Sequence, residues 1–102
     1  MRLKDASVNL DGVKAPILHA MAVAEPIMEK WGEFVVTSVK DGKHSARSLH
    51  YVGLAMDVRI WGLKEDADKV QAISELRDAL GKDYDVVLEG DHIHIEYDPK
   101  DS

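Results

Sequence analysis

The chain reads as an α+β domain, a small, mainly antiparallel sheet with two main helices on one face. Three observations lead there. Two stretches, about 16–31 and 65–80, repeat apolar residues at helical spacing. Three others, 54–60, 84–89 and 92–97, alternate apolar and polar residues as half-buried strands do. A Gly-Asp pair separates the last two, where a hairpin needs its turn.

The first helix is expected from Pro16, a residue suited to a first helical turn, to Trp31, with Gly32 as its stop. Ile17, Met21, Ala24 and Met28 share one face, and Pro26 should kink the helix or split it. Residues 33–38 are β-branched and aromatic enough for a short strand, and a polar loop from Asp41 to Ser48 then delivers the chain to His50. In the next strand Leu54, Met56, Val58 and Ile60 face the core, which turns Asp57 the other way. The second helix opens on Glu65, Asp66 and Asp68, acids that suit the positive end of the helix dipole. It presents Val70, Ile73, Leu76 and Leu80 to the core and ends at Gly81.

Gly90-Asp91 is the signal for a type II′ hairpin in which residue 89 faces residue 92. That register puts Val86, Leu88, Ile93 and Ile95 on one face and Asp85, Val87, Glu89, His92, His94 and Glu96 on the other. The first is a core face and the second a candidate site.

Composition narrows the function. At 102 residues one domain with a single core is expected, and 45% hydrophobic with 31% charged residues is ordinary for a water-soluble globule. A net charge of -6 opposes binding to a phosphate backbone, so nucleic acid is not an expected partner. Without cysteine there are no disulfides and no thiolate metal sites, so any metal must take nitrogen and oxygen ligands. No apolar run approaches the roughly 18 residues of a membrane span, and the start lacks a signal-peptide apolar core, so neither a membrane partner nor an export signal is expected. No pattern fixes the oligomeric state.

Four side chains stand out: His50, Asp57, His92 and His94. Two imidazoles and one carboxylate are what a catalytic Zn²⁺ needs if its fourth position is to stay open to water. A carboxylate near imidazoles also suits a hydrogen-bonded imidazolium pair, and His-x-His alone is equally a pair of surface histidines. Glu96 is expected as a solvated strand-end carboxylate and Asp91 as a turn residue. His19 and His44 stand outside the pattern, and Met21, Met28 and Met56 are packing residues.

The motif Ser48-x-His50-x-x-Gly53-x-Ala55-x-Asp57, followed at a distance by His92-x-His94, resembles the zinc peptidases that cut bacterial cell-wall stem peptides. This is the D-alanyl-D-alanine carboxypeptidase and L-alanyl-D-glutamate endopeptidase group, whose fold is shared with the Hedgehog signalling domain. The resemblance spans about residues 16–97, with its motifs at 48–57 and 89–96. It implies that His50, Asp57 and His94 hold Zn²⁺, that Glu89 is the general base, and that His92 hydrogen-bonds the developing oxyanion. In many members the catalytic acid lies three residues before the last zinc histidine, or six in the Hedgehog branch, whereas Glu89 lies five before His94. Many also carry a substrate-holding arginine just after a Thr-Ser pair. Here Thr37-Ser38 is followed by Val39-Lys40, which leaves Lys40, Lys43, Arg47 and Ser48 as the expected substrate contacts.

The implied substrate is a peptidoglycan stem peptide, cut by a phage lysis enzyme or a wall-remodelling peptidase. The small size, without room for a separate wall-binding module, looks like a phage protein made in the cytoplasm and released at lysis. The same resemblance allows an inactive, Hedgehog-like zinc-containing binding module. Outside it stands an acidic interaction module with a pH-sensitive histidine patch.

Overall fold

The computed structural model describes residues 2–3, 15–40 and 55–99. Helix α1 spans Ala15–Met28 and tightens into a 3₁₀ turn, Glu29–Trp31, before Gly32 at φ 139°. Pro26 does not split it. The helix runs through Pro26, whose missing N–H removes the bond to the Ala22 carbonyl one turn earlier, and stops two residues later. Strand β1 is Arg2–Leu3, β2 is Val35–Lys40, β3 is Ala55–Arg59, β4 is Tyr84–Glu89 and β5 is His92–Tyr97. Helix α2 spans Asp66–Leu80. At its start the Glu65 N–H donates to Asp68 Oδ2 at 3.4 Å, and at its end the Gly81 N–H donates to the Arg77 carbonyl at 3.0 Å. Strand β2 begins two residues later than the sequence suggests, after Phe34 has entered the core.

The sheet order is β1-β2-β3-β5-β4, with β1 parallel to β2 and every other pairing antiparallel. The fold is therefore α+β, a four-stranded antiparallel sheet extended by β1 and joined by two helices. Met56, Val58, Val86, Ile93 and Ile95 share one side of the ladder and form one core with Ile17 and Met21 of α1 and Leu76 of α2. Both helices lie on that side, which leaves the opposite face to the polar residues. Among the described residues no helix is long and apolar enough to cross a membrane.

Two expected core residues lie elsewhere. Val70 is 70% exposed and Leu88 is 41% exposed. The buried stripe of α2 is Ala72, Leu76 and Leu80, with Ile73 half-buried at its flank. The small Ala72 takes the contact position, which turns the bulkier Val70 outward. Leu88 stands near the hairpin end of edge strand β4, where with Val70 and Ile73 it rims an open groove. The edge is partly closed by Arg77, whose Nε and Nη2 donate to the Val86 carbonyl at 3.1 and 2.7 Å. The Tyr84 hydroxyl donates to the Pro16 carbonyl at 2.8 Å, tying β4 to α1, and burial pushes its pKa up.

Candidate metal centre

The polar face is assembled by register. Asp57 pairs across the ladder with His94, Arg59 with His92 and Ala55 with Glu96, while on the other side Val87 faces His94 and Glu89 faces His92. The hairpin turn sets this parity. Gly90 has φ 52° and no non-glycine residue among those described has positive φ, the sign pattern of a type II′ turn. In β2 a bulge between Val36 and Ser38 brings Ser38 opposite Asp57, and the Thr37 hydroxyl donates to the Asp57 carbonyl at 3.4 Å.

Asp57 is the buried charged residue of the described chain, 8% exposed. Its Oδ1 lies 2.8 Å from His94 Nδ1, and His94 Nε2 lies 3.0 Å from Glu96 Oε1. His92 is held in the same way, with Nδ1 at 2.9 Å from Asp91 Oδ1 and Nε2 at 3.2 Å from Glu89 Oε1. His92 Nε2 also stands 3.6 Å from Asp57 Oδ1, which joins the two halves into one network. An imidazole bonded to carboxylates through both nitrogens must donate from both, which is the charged form.

The electrostatics agree. Burial pulls the His94 pKa down, but the bonds to Glu96 and Asp57 outweigh it and leave the pKa above its ordinary value. His92 is also raised, chiefly by its bond to Asp91, and that bond holds the Asp91 carboxyl below its ordinary range.

Asp57 and His94 are two donors of the kinds zinc takes, a carboxylate oxygen and an imidazole nitrogen. Nitrogen and oxygen ligands sit about 2.0–2.2 Å from Zn²⁺, so two of them in a tetrahedron stand roughly 3.3 Å apart. Asp57 Oδ1 and His94 Nδ1 already converge to within about half an ångström of that, with a shared proton between them. Glu96 on the second nitrogen is the carboxylate that fixes the tautomer and orientation of a ligating histidine. The third expected ligand, His50, lies outside the described residues, as do Lys43, Arg47 and Ser48. Among the described residues no group of three or more His, Asp or Glu side chains is arranged to hold a metal ion.

Of the expected site residues, Asp57, Glu89, His92 and His94 therefore come together, and Lys40 pairs through its backbone with Ala55 while its side chain lies outside the description. Glu96 is a correction. Expected as a solvated strand-end charge, it is half-buried against His94, because the residue opposite it is the small Ala55. Arg59 was not singled out by sequence, although it shares the parity of Asp57 and faces His92. Comparison with protein-family models, with curated proteins and with solved structures finds no match.

Proposed function

We propose that the protein is a zinc-dependent peptidase that hydrolyses stem peptides of bacterial peptidoglycan. The observation that carries this reading is the part-buried Asp57–His94 pair, two donors of the right kind converging at 2.8 Å on a sheet face that packs no core. The Ser48-to-Asp57 motif supplies His50 as the third donor. Zinc bound there would acidify a water molecule and polarise the scissile carbonyl.

The chain's own groups perform the remaining tasks. Asp57 and His94 would hold the metal, and Glu96 would keep the His94 Nε2 proton in place. Glu89, half-exposed beside His92, accepts a proton from the attacking water and returns it to the leaving amine. His92, held by Asp91 through Nδ1, would turn its Nε2 proton from Glu89 to the oxygen that gains charge once Glu89 has taken the proton of the water.

The test is hydrolysis of purified peptidoglycan and synthetic muropeptides with zinc and with chelator, read by mass spectrometry. Zinc-dependent cleavage supports the reading, and the fragment masses identify the bond. Binding of about one zinc without turnover of any wall fragment would make the Hedgehog-like binding module the better account. Zinc content unchanged in both His50→Ala and His94→Ala would remove the metal assignment itself.

A further inference from the structure

Beyond the end of β3 an indole is held out into solvent by a turn whose ends are anchored. Ile60 and Leu63 are buried, and the Leu63 N–H donates to the Ile60 carbonyl at 2.9 Å. Gly62 lies so close to the preceding segment that a Cβ there would stand 1.9 Å from the Trp31 carbonyl oxygen. The turn is thus seated against Trp31, yet Trp61 between its anchors is 70% exposed. A large apolar ring kept in water adds little to the fold, and such a ring on a fixed turn is a ready contact surface.

Arg59 lies against that ring, its guanidinium carbon 3.7 Å from the Trp61 centroid. At that distance the guanidinium covers the ring, and its N–H donors are the groups that match a carboxylate two at a time. The strand places the pair beside the candidate centre. Arg59 is two residues along β3 from Asp57 and directly opposite His92. Thr37, Arg59, Trp61, Asp91 and His92 line one hollow of about 260 Å³. That is below the roughly 300–1,000 Å³ of pockets for drug-sized ligands, and it suits one end of a peptide.

We propose that Arg59 and Trp61 form a carboxylate-binding subsite for a peptide, Arg59 taking the carboxylate and Trp61 covering the aliphatic chain next to it. The subsite rests on the stem-peptide reading for the identity of that peptide. Its geometry supplies a fixed guanidinium on the His92 side of the centre, and the flanking Asp91 disfavours any ligand whose negative charge strays from the Arg59 fork.

The experiment uses the full chain with zinc and two stem peptides that differ only in a free C-terminal carboxylate or its amide. The parent protein should have a KM at least about tenfold lower for the acid than for the amide. Arg59→Gln should abolish that preference by raising KM for the acid roughly tenfold or more, with kcat and zinc content unchanged. Arg59→Lys should restore only part of it, because an ammonium lacks the two-pronged geometry. Trp61→Ala should raise KM for acid and amide alike. No acid preference in the parent, or an Arg59→Gln effect equal on both peptides, would overturn the subsite.

Failure of the peptidase reading is separable. If the parent cuts neither peptide, both are titrated against it while the Trp61 indole N–H resonance is followed by NMR. An acid preference that disappears in Arg59→Gln upholds the subsite without catalysis. Absence of binding by either peptide overturns it.

Discussion

The two faces of the β3, β5 and β4 ladder use one backbone for opposite ends. On one face Met56, Val58, Val86, Ile93 and Ile95 are 2% exposed or less. On the other, Asp57, Glu89, His92, His94 and Glu96 form a chain of acid–imidazole contacts between 2.8 and 3.6 Å. Side chains alternate with period two, so a slip of one residue would exchange the faces completely. The apolar face therefore does more than stabilise: it fixes which residues become the site. The faces also differ in redundancy. Each core side chain is one of many, whereas Asp57, Glu89 and Glu96 on the polar face each contact a particular imidazole, and a buried carboxylate left without its partner is costly.

The largest expected effect breaks the apolar face. Ile95 is fully buried, so Ile95→Ala should destabilise the protein by about 2–5 kcal/mol through lost burial and the cavity left behind. For a chain near 100 residues each kcal/mol lowers Tm by roughly 4–8 °C, readily seen in thermal denaturation. A shift smaller than that of the surface change Val70→Ser would show that β5 does not anchor the core.

On the polar face Glu89→Gln should retain zinc and lose at least about 10²-fold in kcat, roughly 2.7 kcal/mol of barrier. Asp91→Asn is its counterpart. Asp91 is the acid three residues before His94, the spacing many of the resembling peptidases use, but its side chain is 95% exposed in the turn and bonded to His92. If Asp91→Asn were inactive and Glu89→Gln active, the turn would supply the base and Glu89 would only position His92. A smaller loss is expected from Glu96→Gln. Carboxylates behind a ligating histidine typically contribute 10–100-fold to metal affinity, so competition with a chromophoric chelator should show zinc binding weakened by about that factor. Unchanged affinity would mean that the Glu96 bond does not support the ligand.

How much of this was legible depended on how local the signal is. The buried stripe of α1, the Gly90-Asp91 turn and the pairing of Glu89 with His92 follow from periods of a few residues, and they appear in the fold as the alternation dictates. Val70 and Leu88 did not follow, because their exposure depends on how α2 is rotated over the sheet and where it leaves the end of β4 open, a tertiary outcome no short window contains. Glu96 and Arg59 were within reach. Both share the parity of the histidines and Asp57, but the role of Glu96 rests on the small Ala55 across the ladder and that of Arg59 on its stack against Trp61, both set by strands meeting.

The smallest effect is one of sign. The pKa values of His92 and His94 are raised in the fold by acids on the same face. A group raised on folding contributes stability that is fully present below its unfolded pKa, about 6.5 for histidine, and lost as pH rises through the folded value. Without metal, the polar face should therefore weaken the protein as pH climbs above about 6.5. Zinc at the proposed site would reverse this, since it would compete with the proton on His94 Nδ1 and bind less well as pH falls. Of titrating groups the core face carries, among the described residues, only the tyrosines Tyr84 and Tyr97, whose ordinary pKa of about 10 lies well above this range and is pushed higher still at Tyr84 by burial, so it should contribute equally in both conditions. Thermal denaturation at about pH 6 and about pH 8, with zinc and with chelator, should thus show the gap between the two Tm values widening toward the higher pH. The same gap in His94→Ala should be small and flat. A parental gap that stays constant or narrows as pH rises would mean that the proton shared by Asp57 and His94 does not occupy the position a metal would take.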